Sequence, residues 1–185
     1  MRVEIVDDSK SAERALTFPP VEDYFDLREN PRGLERITAA RQYLPLRNFL
    51  AAVNGADSLF STASARAQPH SPLADSSGGA NDFSSQTSLV FADSSLNFEP
   101  DHYGELAARL KGLLEREAGD ALRVILRIAA CQFTDQDRQG YSLSIHLIAQ
   151  GTTAEQAEMR WGLGLARLQQ ALMFSARALR QQLGA

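Results

Sequence analysis

The stretch ALRVILRIAACQFTDQDRQGYSLSIHLIAQ, residues 121–150, decides the fold. It holds two apolar runs, rich in β-branched residues, on either side of the polar segment TDQDRQG. Alternation at period two is the signature of a strand with one buried face. In the first run Leu122, Val124, Leu126, Ile128 and Ala130 share a face. In the second, Tyr141, Leu143, Ile145, Leu147 and Ala149 share one. The two sets bury together only if the strands pair as an antiparallel hairpin of matching parity, because a slip of one residue would expose them.

The same argument sends His146 to the other face, with Arg123, Arg127, Cys131, Ser142 and Ser144. Ile125, Ala129, Phe133 and Ile148 share that face, so it is half polar and half apolar. Counting back from a seven-residue loop sets His146 opposite Arg127 or Ala129. Cys131 then lies one or two pairs further along, too far for a Cys–His nucleophile. His146 reads as a structural residue, its pKa depressed by the arginines.

Elsewhere the chain alternates helical and extended signals. RVEIV near the start is a short strand, and TFPPVEDYFDLRENPRG an extended segment. Asn30-Pro31 marks a helix start that runs through Leu34, Ile37 and Ala40; Pro45 opens a second helix that closes at Asn54-Gly55. Residues 57–67 are a strand, and residues 68–86, rich in Ser, Gly and Pro, a flexible loop. TSLVFADSSLNF is strand-like, and Pro100 opens a helix ending at Gly119. Thr152 and Glu155 form a capping box for a last helix reaching about Gln182.

The predicted fold class is α+β. A mainly antiparallel sheet, built from a strand-strand-helix unit occurring twice, packs against helices. A helix pair precedes it and a long C-terminal helix ends it. Residues 1–30 form an extended N-terminal segment, and residues 31–185 a single domain.

The last helix carries Trp161, Leu165, Leu168, Leu172, Ser175 and Leu179 at 4-3-4-3-4 spacing, a helix-packing seam. Leu163, Ala166, Met173, Phe174 and Ala178 widen its apolar surface. Such a helix is roughly 45 Å long, against a radius of gyration of roughly 16 Å for a compact domain of this size. The helix therefore overhangs the domain, packs on a partner, or spans the whole sheet as one long core helix; the second reading places Trp161, Leu165, Leu168, Leu172 and Leu179 at a homodimer interface. Gly162 and Gly164 allow close backbone approach or mark a kink.

Composition excludes several function classes. A net charge of −4 does not suit broad nucleic-acid or anionic-membrane binding. One cysteine rules out an internal disulfide and a thiolate zinc site. No signal sequence or apolar run of membrane-span length occurs, and the expected location is the cytoplasm. No two histidines have metal-ligand spacing, and neither SSGGAND nor GLG is a phosphate or dinucleotide fingerprint. No metal and no cofactor are expected. Arg32 and Arg36 could hold an anion, but a solvated helix face with internal ion pairs is the plainer reading.

The order helix, strands, helix, strands, helix, with the acidic balance, resembles that of small bacterial secretion chaperones. That resemblance implies a dimeric α+β protein binding extended segments of its clients. Two readings follow: a non-enzymatic protein-interaction module acting as a homodimer, or an anion-binding protein or enzyme using Arg123, Arg127 and His146.

Overall fold

The computed structural model describes residues 1–11, 16–20, 26–69, 81–116 and 121–183. Its centre is the expected hairpin. Strand β5 (Leu122–Phe133) pairs antiparallel with β6 (Arg138–Gly151), with Leu126 opposite Ile145 and Val124 opposite Leu147. The apolar sets of both strands, Ala130 aside, lie in or against one core cluster, as their alternation requires.

Around the hairpin stands a six-stranded mixed sheet. Strand β4 (Asn81–Phe91) pairs antiparallel with β6, and β3 (Phe60–Pro69) pairs antiparallel with β4 at the outer edge. On the far side β1 (Arg2–Asp8) and β2 (Leu16–Phe18) both run parallel to β5, one after the other along the same edge. Helices α1 (Thr38–Gln42), α2 (Leu44–Val53), α3 (Pro100–Leu114) and α4 (Ala154–Leu183) send their buried residues into the core cluster on one face of the sheet. The architecture is α+β, and the strand-strand-helix unit occurs twice, as β3-β4-α3 and β5-β6-α4.

Several expectations are corrected. Residues 68–69 and 81–86 are strand, not loop; the rest of the expected flexible segment, 70–80, lies outside the described residues. Their serines hide a working alternation: Phe83, Ser85, Thr87, Leu89 and Phe91 sit opposite the core-facing residues of β6 or end that row. Ser85 accepts a 2.8 Å hydrogen bond from the Trp161 indole, so a polar residue belongs at that core position. The helix expected after Asn30-Pro31 is a 3-10 turn (Pro31–Glu35) followed by the short α1, and Asn30 makes no side-chain cap. The α4 cap lies one residue on: Thr153 Oγ1 accepts from the Gln156 N–H, and Gln156 Oε1 accepts from the Thr152 N–H.

Helix α4 is continuous, and its two glycines are sites of close approach. A Cβ on Gly162 would stand 3.1 Å from the Pro45 ring, and one on Gly164 would stand 3.1–3.3 Å from Leu147 and Leu122 methyls. The helix therefore lies low across the sheet, and the seam faces its own core. Trp161, Leu165, Leu168, Leu172 and Leu179 are each no more than 3% exposed. Their expected place at a dimer interface is corrected, because a sheet of six strands is wide enough to bury the whole seam.

Candidate functional site

The sheet face away from the helices carries the polar residues singled out by the sequence. His146 lies between Ile125 of β5 and Gln86 of β4. This differs from the expected Arg127 or Ala129, because the hairpin turn is shorter. Phe133 pairs with Arg138, and Asp137 in the left-handed region (φ 44°) closes the connection. Cys131 is consequently three face-pairs from His146, roughly 20 Å along the strand. It is fully buried, and burial pushes its thiol up to about 12. A protonated thiol that far from an imidazole is no nucleophile.

Arg123 and Arg127 flank this row, on the residues either side of Ile125 in alternation. Each is already engaged by a carboxylate of β1. Arg123 donates to Glu4 at 2.9 Å, and Arg127 donates to Asp8. The parallel pairing of β1 with β5 creates both ion pairs, and both arginines are about 30% exposed. An incoming anion would have to displace these carboxylates. Further along, Gln86 Nε2 donates to Ser144 Oγ at 2.9 Å, Ser88 Oγ also donates to Ser144, and Arg66 donates to Gln86. Arg66, Gln86, Ser144 and Ser88 thus form one connected network, while on the same face the buried Arg123 Nε and Ser142 Oγ have no hydrogen-bond partner among the described residues.

Burial first, and then the charges of Arg66, Arg123 and Arg127, hold the His146 imidazole below its ordinary value. At neutral pH it is uncharged. The unfolded histidine takes up a proton near pH 6.5, while the folded one resists until lower pH. Stability is therefore retained above about pH 6.5 and lost as pH falls below it. His146→Gln should lose less stability than wild type between about pH 6.5 and pH 5. Thermal melts of both proteins across that range would show it, and parallel curves would contradict it.

The arginines around the first helices do not form one anion site. Arg28 donates to the carbonyls of Gly55, Ser58 and Phe60 at 3.0–3.2 Å, tying the end of α2 to β3. Arg47 pairs with Glu35 at 3.8 Å. Arg32 lies in the 3-10 turn and Arg36 at its end, so the α-helical spacing expected for them is not formed. His102 Nδ1 is 3.1 Å from the Leu96 carbonyl oxygen at the start of α3. His70 lies outside the described residues. Among the described residues no three His, Cys, Asp or Glu side chains are grouped to hold a metal. No helix there is long and apolar enough to cross a membrane.

A second surface was only half visible in the sequence. The side of α4 facing away from the sheet exposes Met159 (63%), Leu163 (57%) and Phe174 (62%). Phe174 forms one wall of a recess of about 230 Å³ lined also by Met1, Leu113, Leu114, Arg167 and Ala171. Leu44 is 65% exposed beside Pro45, whose ring stands against Gly162. Leu163 and Phe174 stood out in the sequence as widening the apolar surface; Met159 did not. The missed signal is the recurrence Met159, Leu163, Ala166, Gln170, Phe174 on one side of the helix, opposite the Trp161 seam.

No protein-family model matches the chain, and comparison with curated proteins and with solved structures gives no match.

Proposed function

We propose that this chain is a non-enzymatic protein-interaction module that acts as a homodimer. The observation that carries this reading is the outer face of α4, where three large apolar side chains stand more than half exposed along one stripe. Exposed apolar side chains that recur along one side of a helix support a contact there. The polar sheet face offers a ligand less. Arg123 and Arg127 are neutralised by Glu4 and Asp8, and His146 is held neutral.

Sedimentation equilibrium tests the reading. Wild type is expected at twice the chain mass of 20.3 kDa. Leu163→Glu, at an exposed position that the fold does not need, is expected to sediment as a folded monomer. A wild-type monomer at high protein concentration would overturn the proposal, as would a Leu163→Glu dimer of unchanged strength.

A further inference from the structure

We infer that two copies of this chain pair through the outer faces of α4, antiparallel, about a two-fold axis passing between Ala166 and Arg167. This rests on the homodimer reading above and names its geometry. The stripe on α4 is symmetric about that point. Met159 and Phe174 are equidistant from it, and so are Leu163 and Gln170. With a rise of about 1.5 Å per residue, Met159 of one copy therefore meets Phe174 of the other. Two Met–Phe contacts then enclose a centre of Leu163, Ala166 and Gln170, and methionine against an aromatic ring is a favourable pairing. A self-complementary patch of this kind is what a closed two-fold interface needs.

Charge decides the direction. Glu155 lies at the start of α4 and Arg177 near its end, both exposed. On a helix of 3.6 residues per turn they share one flank, the flank away from Arg167. A two-fold axis between antiparallel helices sets each flank beside the same flank of the partner. Glu155 then falls within one residue of Arg177 of the second copy, twice over. A parallel pair sets each flank beside the partner's other flank and keeps Glu155 and Arg177 at opposite ends, so neither ion pair would form. The antiparallel pair also brings the two Arg167 residues to one flank near the axis, a like-charge cost set against the two Glu155–Arg177 pairs; each Arg167 lines the recess beside Leu113 and Leu114.

Disulfide trapping in the full chain tests this. Native Cys131 is fully buried, so a new bond is assigned without ambiguity. Under oxidation Ala166→Cys is expected to form a covalent dimer, because the two copies of this position flank the axis. Gln181→Cys, exposed on the same stripe but distant from the axis, is expected to stay uncrosslinked; it would trap readily in a parallel pair. Glu155→Arg and Arg177→Glu should each weaken the dimer, on the order of tenfold for two reversed pairs, and the double variant should recover it. A dimeric wild type whose Ala166→Cys variant fails to crosslink would overturn this geometry and leave the homodimer reading standing. Crosslinking at Gln181→Cys, or a double variant no stronger than the singles, would also overturn it. A monomeric wild type would overturn both.

Discussion

Trp161→Ala is expected to lower the stability of the folded chain by about 3–5 kcal/mol, the range for removing a large aromatic side chain from a core. Trp161 is fully buried. Its ring centroid lies 4.6 Å from that of Phe83 and 5.7 Å from that of Tyr43, so three aromatic rings pin α4 and the α1–α2 junction to β4. Its indole N–H donates to Ser85 Oγ at 2.8 Å. Alanine leaves a cavity among those rings and an unsatisfied buried hydroxyl. Trp161→Phe keeps most of the packing and should cost clearly less. Denaturant unfolding followed by circular dichroism would check this, since the variants lack the chain's only tryptophan. A Trp161→Ala protein that folds with near wild-type stability but no longer self-associates would place Trp161 at an interface instead.

Asn97→Ala is the second large effect. Asn97, 1% exposed, lies in the 3-10 turn between β4 and α3. Its Oδ1 accepts from the Phe91 N–H at 2.8 Å and from the Tyr103 hydroxyl, and its Nδ2 donates to the Phe91 carbonyl at 2.9 Å. One side chain thus satisfies the last backbone groups of β4 and the buried phenol of α3. Burial holds that phenol protonated, well above its ordinary pKa. Removing the amide strands three buried polar groups, at about 1–3 kcal/mol each. A loss of about 3 kcal/mol or more is expected, while Tyr103→Phe, which removes one partner and strands only part of the network, should cost about 1 kcal/mol. Equal losses from the two variants would show that Asn97 does not organise this corner.

The β5–β6 hairpin was legible because nearly every residue obeys one alternation, and one register parity alone buries both apolar sets. In β4 (Asn81–Phe91), residues 87–91 read as strand but 81–86 were illegible. This strand lies between two others, so backbone ladders on both sides hold it, and its serines fill core positions that usually carry apolar side chains. The parallel pairing of β1 and β2 with β5 was invisible in the sequence. Those strands are short, and their partner lies more than a hundred residues away, where no local pattern reaches. That pairing changes the candidate site most, since it supplies Glu4 and Asp8 to Arg123 and Arg127. The Trp161 seam is legible as a packing surface, and the structure buries it in the chain's own core. Periodicity shows that a helix face is buried, not whether the chain's own sheet or a second copy buries it.

If two copies pair through the outer face of α4, as proposed, that face and the polar face of the sheet respond differently when the dimer dissociates. Three methionine methyls and the His146 ring report on the two surfaces separately. Met159 lies on the exposed stripe, while Met173 packs against the core. A dilution series followed by methyl and imidazole NMR is the most direct test. The Met159 methyl resonance is expected to shift as the dimer dissociates while the His146 ring resonances stay fixed. Shifts confined to His146, with Met159 unchanged throughout, would contradict the proposed pairing.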